Sequence, residues 1–258
     1  MPAQSSFHQS VNRLEHNALF LGVLLAVVIG GSLMLLQPIL GAAVALILSV
    51  AWIVTFRAKL ASGRNQMLTG LDLTPLVVGS QPQLENLLEG LCATSGVTNP
   101  EVYLLESASM NAFVVSNRAG CTLVLTTGLA NGLGRLELEG VLANLLGRQR
   151  DGSARFATSV ISLFGTSGFG QRKLAAGLGE QRSVRSDMAA IDLTRYPPGL
   201  IAAFVHMQQA GTALADAPAN TVSLWLAPVN DIAEVKVSPL AETAMQPLTY
   251  RIAVLQEL

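Results

Sequence analysis

The chain has 258 residues, of which 50% are hydrophobic and only 13% are charged, and its mean hydropathy is +0.46. This composition is more apolar than that of an ordinary soluble globular protein, so part of the chain is expected to contact lipid. The formal net charge of -1 argues against a nucleic acid partner, because proteins that bind nucleic acid usually carry a large excess of basic residues.

An uncharged stretch of 40 positions, residues 17–56, is the most apolar part of the chain. It divides at Gln37 and Pro38 into residues 18–36 and 39–56, each close to the roughly 20 residues that a spanning helix requires. These residues predict a transmembrane helical hairpin. A secretory signal peptide is the competing interpretation of the first part, but such a signal has a shorter apolar core and is not followed at once by a second span.

Basic residues at the two outer ends of the hairpin predict its orientation. Arg13 precedes the first span, Arg57, Lys59 and Arg64 follow the second, and the connecting turn is uncharged. Because positively charged flanks stay in the cytoplasm, we expect a multi-pass protein of the inner (cytoplasmic) membrane. Its N-terminal segment, residues 1–17, and its main domain would then both be cytoplasmic.

The part after the hairpin predicts an α+β domain that is mostly helical. Residues 57–80 are expected to be a linker and residues 81–258 the domain. Leucines at helical spacing in "PQLENLLEGLCATSGV" predict an amphipathic helix, and a second helix is expected to begin near Leu136. Between them, the runs "EVYLLE", "NAFVVS" and "CTLVLTTG" predict a small antiparallel sheet. The two cysteines, Cys92 and Cys121, are expected to be buried thiols.

A third apolar stretch, Phe156 to Phe169, has only 14 residues and is too short to span a bilayer. Two interpretations stay open for it. It could be an amphipathic segment against the inner leaflet, helped by nearby arginines, or an ordinary helix with solvated charges.

Several motifs occur in an order that resembles the HtpX family of membrane-tethered zinc metallopeptidases. The resemblance covers nearly the whole chain, although no single motif is decisive. It implies a zincin-like cytoplasmic domain behind the hairpin, with zinc as the family cofactor. The similar motifs are "LENLLEGLCATSGV", "NPEVYLLE", "MNAFVVS", "LVLTTGLANGL", "ELEGVLANLLGRQRDG", "RSDMAAIDLTRYPPGLIAAF", "SLWLAP" and "PLTYRIAVLQEL".

The resemblance fails at the residues that would perform the chemistry. Zincins use two histidines four residues apart on one helix face, with a glutamate between them that polarises the attacking water. The resemblance places these three groups on Asn144, Arg148 and Leu145, and the third ligand, a glutamate of a later helix, on Ser183, with Asp187 retained. We therefore expect no zinc and no catalytic residue here, because leucine cannot bind a metal and a charged arginine repels one.

These observations favour a membrane-anchored pseudopeptidase that works by binding a protein or as a subunit of a membrane complex. The resemblance suggests a binding edge at Asn111, Ala112, Phe113 and Val114, since an exposed strand edge can pair with an extended peptide. A protein partner is expected in addition to the lipid bilayer, either an active paralogue or a membrane complex.

Two alternatives stay open. The first is an active zinc metalloendopeptidase of membrane-protein quality control, with ligands not identified in the sequence or supplied by a second chain. The second is a purely structural membrane subunit, whose helices would pack through small residues. Those residues are Gly22, Gly30, Gly31, Gly41 and Ala45.

Overall fold

Two long antiparallel helices begin the chain, and their apolar side chains point outward. In the computed structural model, which describes residues 4–35, 37–179, 181–215, 217–229 and 245–258, these are α1 (Gln4–Met34) and α2 (Pro38–Leu68). Residues 9–34 and 38–68 are each long and apolar enough to cross a membrane. Large apolar side chains such as Phe20, Leu46 and Ile47 are about two-thirds exposed, as a lipid-facing surface requires.

Glycines allow the two helices of the hairpin to approach each other closely. A Cβ atom on Gly30 would lie 2.3 Å from the Cβ of Ala45, and one on Gly22 would lie 2.0 Å from the Trp52 ring. Only glycine fits at these two positions. A Cβ on Gly31, by contrast, would meet nothing within 4 Å. Gly22 and Gly30 of α1 therefore pack against α2 within the hairpin.

The hairpin helices continue beyond the apolar stretch and join the domain. Val11 of α1 and Met67 of α2 are buried in the domain core, and Gly63 of α2 is buried as well. The segment 57–80 is thus more ordered than the expected linker: it is helical to Leu68 and then supplies β1 (Leu73–Pro75). The buried side of α2 explains the extension, because Gly63 and Met67 lie four residues apart on one helix face.

The remaining elements pack around a four-stranded sheet with the order β1-β2-β4-β3. The strands after β1 are β2 (Glu101–Leu105), β3 (Ala112–Ser116) and β4 (Cys121–Thr126). The helices of the domain are α3 (Pro82–Ser95), α4 (Thr127–Gly132), α5 (Arg135–Arg150), α6 (Ser153–Phe164), α7 (Gly168–Leu178), α8 (Arg182–Thr194), α9 (Pro197–Ala210) and α10 (Leu248–Gln256).

The sheet is mixed, which corrects the expectation of an antiparallel sheet. β1 pairs with β2 and β3 with β4 in antiparallel fashion, but β2 and β4 are parallel. The β3–β4 hairpin causes this arrangement. Its turn is closed by Asn117, whose side-chain oxygen accepts bonds from the amides of Ala119 and Gly120. β4 returns into the space beside β2, and β3 is left at the sheet edge.

The two faces of the sheet have separate cores. Val114, Leu123 and Leu125 point toward α3, α5 and α9, whereas Phe113 and Val124 point toward α6 and α7. This alternation is the two-residue period of a strand that is buried on both faces. The second core also contains Val11 and Met67, so the sheet packs directly on the ends of the hairpin helices.

The apolar stretch from Phe156 to Phe169 forms α6 and the start of α7. Phe156, Ala157, Val160 and Ile161 of α6 are buried in the second core. Where α6 packs on α2, a Cβ on Gly63 would lie 2.1 Å from the Ser162 hydroxyl. Of the two interpretations, the structure favours a helix whose apolar face packs on protein.

Candidate functional site

The four positions at which the resemblance would place the zincin groups lie on α5 and α8. They are Asn144, Leu145, Arg148 and Ser183. Glu137 caps the start of α5, accepting a 2.7 Å hydrogen bond from the amide of Gly134. Two glycines then allow close packing of this helix: a Cβ on Gly147 would lie 3.0 Å from the Cβ of Ala189 in α8, and one on Gly140 would lie 3.0 Å from the Leu200 backbone in α9. One face of α5 is thereby held against α8.

Asn144 is fully buried and hydrogen bonded to α8. Its amide nitrogen donates to Oδ1 of Asp187 at 2.7 Å and to the hydroxyl of Ser186 at 3.2 Å. Its side-chain oxygen has no hydrogen-bond partner among the described residues. At the place where the resemblance puts the first metal ligand, the side chain therefore acts as a hydrogen-bond donor to a carboxylate.

Asp187 is paired with a residue that sequence reasoning did not identify, Arg251 of α10. The two form a bidentate ion pair, with Nε to Oδ2 at 2.8 Å and Nη2 to Oδ1 at 2.6 Å. Both side chains are buried, at 0% and 1% exposure. The guanidinium also donates to the carbonyl of Leu226 at 2.6 Å and lies 4.2 Å from the centre of the Phe204 ring.

A signal for Arg251 is present in the sequence. Leu248, Arg251 and Leu255 are the buried residues of α10, and they follow the three- and four-residue steps of one helix face. An arginine in the middle of an apolar stripe needs a buried anionic partner. Asp187 is that partner.

Leu145 is fully buried among the leucines of the first core, next to Val141, Leu142 and Leu146. Where the resemblance puts the water-activating glutamate, the structure has only an apolar side chain that fills the core.

Arg148 is directed toward the segment that follows α9. Its Nη1 donates to the carbonyls of Leu224 and Trp225, at 3.2 and 3.5 Å. Burial, together with the positive charges of Arg182 and Arg251, lowers the pKa of Arg148 to about 9. Burial, with Arg251 and Arg185 nearby, likewise lowers the pKa of Arg182 to about 10. The charges of Arg182 and Arg251 thus act against that of Arg148 at the second expected histidine position, while Asp187 and Asp151 partly offset them.

Ser183 is 1% exposed on α8, one turn before Asp187. Its hydroxyl has no hydrogen-bond partner among the described residues, and its carbonyl accepts a 2.8 Å bond from Ser186. The structure thus packs the helix of Asn144 and Arg148 against the helix of Ser183.

These residues do not fit a zinc ion. An amide that donates to Asp187, an apolar leucine and a guanidinium offer no set of metal ligands. In the part of the chain that the structure describes, no group of three or more His, Cys, Asp or Glu could hold a metal. His206 lies elsewhere, with Nδ1 3.5 Å from the Glu137 carboxylate, and His16 bonds to the carbonyl of Asn12. The side chain of His8 lies outside the described residues.

The expected binding edge at Asn111 to Val114 is buried under the chain's own residues. The amide of Leu226 donates to the carbonyl of Ala112 at 2.7 Å, and Phe113 forms an antiparallel bridge with Trp225. Their rings meet edge to face at 4.6 Å between centroids. An extended peptide would have to displace these residues before it could pair with Ala112.

Asn111 holds this covering segment in place. Its side-chain nitrogen donates to the carbonyls of Thr212 and Ala227, both at 3.0 Å. Its side-chain oxygen accepts from the amides of Ala112 and Ala227, at 2.9 and 3.2 Å. Asn111 is therefore a structural hub between β3 and the later segment.

Comparison with known proteins shows that the chain is similar in sequence to protease HtpX homologs. A protein described as a protease HtpX homolog from Dictyoglomus turgidum is 27% identical over 199 residues, 63% of this chain and 65% of that protein. One of the same description from Listeria monocytogenes serotype 4a is 25% identical over 227 residues, 69% of this chain and 74% of that protein. The chain is related to the HtpX proteases. Its two apolar helices are each long enough to cross a membrane, and together with these relatives they indicate a membrane protein.

The sequence similarity covers only part of the length of each relative. The alignment with the Dictyoglomus turgidum protease HtpX homolog spans less than two-thirds of that relative, 65%. No family model matches the chain. Among solved structures, the crystal structure of S. mikatae Ste24p covers 90% of this chain and 63% of that chain, with 17% identity and a TM-score of 0.44.

Proposed function

We propose that the chain is a membrane-anchored pseudopeptidase of HtpX type, which acts by binding a protein or as a subunit of a membrane complex. The observation that carries the proposal is the buried network of Asn144, Asp187 and Arg251. It lies between α5 and α8, where the resemblance implies a metal centre. Its hydrogen bonds link α5, α8 and α10 directly through side chains.

An active zinc metalloendopeptidase of membrane-protein quality control is the alternative. It would need ligands from outside the described residues or from another chain, and it would need a water-activating carboxylate where Leu145 is buried. The three guanidinium groups of Arg148, Arg182 and Arg251 would also oppose a dication. Metal content distinguishes this alternative from the pseudopeptidase.

A purely structural subunit receives less support, because Gly22, Gly30 and Gly41 are occupied by contacts inside the hairpin. Gly31 is the glycine of this group that has open space around it. We further propose that the hairpin lies in the inner membrane with both termini and the domain in the cytoplasm, on the basis of Arg13, Arg57 and the other flanking basic residues.

Restoring the metal ligands tests the pseudopeptidase proposal. The variant carries Asn144→His, Leu145→Glu, Arg148→His and Ser183→Glu. Asp187 already accepts a hydrogen bond from the side chain at position 144, so it can accept one from a histidine ring and orient it. The variant should hold about one zinc per chain, as three protein ligands and an open position allow. The parent should hold none.

The measurement is elemental mass spectrometry of zinc after purification of both proteins in mild detergent and dialysis. A matched control replaces Arg148→His by Arg148→Gln in the same variant, which leaves one histidine and one glutamate ligand and should retain far less zinc. Stoichiometric zinc in the parent, or equal zinc in parent and variant, would overturn the proposal.

A further inference from the structure

A cavity of about 220 Å³ opens beside the membrane hairpin, away from the α5–α8 site. It lies between α1, α2, the β3–β4 turn and α6. Its lining includes Glu15, Arg57, Leu60, Arg118, Arg155 and Ser159. Three of these six are arginines and one is a carboxylate, so the cavity carries an excess of positive charge.

The arrangement of the charges leaves donors available to a ligand. Glu15 is 7% exposed and accepts from Arg118 at 2.7 Å and from Arg155 at 3.0 Å. Because one carboxylate is shared by two guanidinium groups, it cannot satisfy all of their N–H donors. The side chain of Arg118 remains 68% exposed. Arg57 forms no ion pair with any described residue, so its charge is free to meet an anion.

The ends of the two apolar stretches show where the cavity lies relative to the lipid bilayer. Arg57 directly follows Phe56, the last residue of the second apolar stretch, and Glu15 comes three residues before Ala18, the first residue of the other. At about 1.5 Å per helical residue, both lie within roughly 5 Å of the ends of the apolar stretches. The cavity is therefore at the level where phospholipid headgroups lie, on whichever side of the membrane the domain faces.

We propose that this cavity binds the phosphate-bearing headgroup of an anionic phospholipid. Guanidinium groups recognise phosphate through paired N–H donors, and basic pockets beside membrane helices attract anionic headgroups. The acyl chains would continue along the exposed apolar side chains of α2, such as Val54. This inference does not depend on the loss of zinc.

The test uses the full-length protein in detergent micelles, titrated with phosphatidylglycerol, phosphatidylcholine or inorganic phosphate. Native mass spectrometry measures the bound adducts and their apparent Kd. Phosphatidylglycerol should bind at least about tenfold more tightly than phosphatidylcholine, because each basic residue near the headgroup contributes about a fivefold preference for an anionic lipid. Inorganic phosphate at the same concentration should leave little adduct.

Two double variants distinguish the cavity from dispersed surface charge. Arg57→Gln with Arg118→Gln removes two lining charges, whereas Arg13→Gln with Lys59→Gln removes two exposed charges on the same helices that do not line the cavity. The first should weaken phosphatidylglycerol binding by roughly tenfold or more, and the second by less than about threefold, since exposed charges are screened by salt. Unchanged melting of both variants checks their folds.

Three results would overturn the proposal. Equal losses in the two double variants would mean that the attraction is a dispersed surface effect. Equal binding of phosphatidylcholine would mean that the headgroup charge is not recognised. Inorganic phosphate bound as tightly as phosphatidylglycerol would mean that the site takes a small anion and not a lipid.

Discussion

The side-chain amide of Asn144 donates a 2.7 Å hydrogen bond to Oδ1 of Asp187, the same oxygen that receives a 2.6 Å bond from Arg251. A helix that resembles a metal-binding helix is thus joined to its neighbours by a buried ion pair and an amide. All three side chains are at most 1% exposed. The network links α5, α8 and α10 by direct side-chain contacts.

Loss of charge should destabilise the domain strongly at Arg251 and only slightly, if at all, at Arg148. Arg251→Met leaves Asp187 buried without a counter-ion, which costs about 3–5 kcal/mol and should lower the melting temperature by roughly 10 °C. For Arg148, burial lowers the pKa to about 9, below its ordinary value of 12.5. The unfolded state therefore holds this proton more tightly, and at neutral pH the charged side chain carries the full destabilising effect.

Arg148→Met serves as the matched comparison. It removes a disfavoured charge and two weak hydrogen bonds to carbonyls, so the melting temperature should change by less than about 3 °C. Thermal unfolding in detergent, followed by tryptophan fluorescence, measures both variants. If Arg148→Met were as destabilising as Arg251→Met, Arg148 would have an anionic partner that the described contacts lack.

Leu145→Glu by itself should destabilise the domain by several kcal/mol, because it buries an unpaired carboxylate. Burial raises the pKa of such a carboxyl, so the folded state holds its proton more tightly and stability is lost as pH rises. The variant should melt closer to the parent at pH 4 than at pH 8.

Leu136→Glu is the control on the same helix, since Leu136 is 52% exposed and its replacement should change little. Equal melting of the parent and Leu145→Glu at pH 8 would mean that Leu145 is not in the core.

Asn111→Ala should loosen the segment that covers the sheet edge. The substitution removes three hydrogen bonds that join Asn111 to Thr212 and Ala227, and a fourth to the amide of Ala112. Amide hydrogen exchange of residues 221–229 should accelerate by roughly tenfold or more, because local opening of this segment costs less free energy. Asn131→Ala is the control: the exposed Asn131 accepts one hydrogen bond, from Gln81, so this region should exchange at the parent rate. An unchanged exchange rate of residues 221–229 in Asn111→Ala would show that Asn111 does not hold this segment in place.

An engineered thiol tests the orientation of the hairpin. Gln37→Cys in the exposed turn should react with an impermeant maleimide in intact cells, if the turn faces outward. The native thiols should not react with the maleimide, because Cys92 and Cys121 are buried and burial raises the pKa of Cys121 to about 12. A cysteine introduced at Ala61, beyond the second span, should react only after lysis. The reverse pattern would place the domain outside.

The sequence by itself determined the elements that depend on local pattern. The apolar stretches within residues 18–56 predicted two long apolar helices, and both occur: the first begins well before residue 18 and ends at Met34, and the second continues to Leu68. The period of leucines predicted α3, and the spacing along α5 put Leu145 on its buried side. The ordered motifs also indicated the HtpX relationship, which the comparisons confirmed.

Tertiary structure alone decided which distant residues meet. Arg251 and Asp187 are 64 positions apart, and no local period shows that they pair, because the pairing depends on how α8 and α10 pack. The same holds for Trp225, which covers the edge at Phe113, and for β4, which lies parallel to β2. Helix and strand periodicity reports which side of an element is buried. What it is buried against is decided by the free energy of packing the whole chain, in which side chains distant in sequence must share one core.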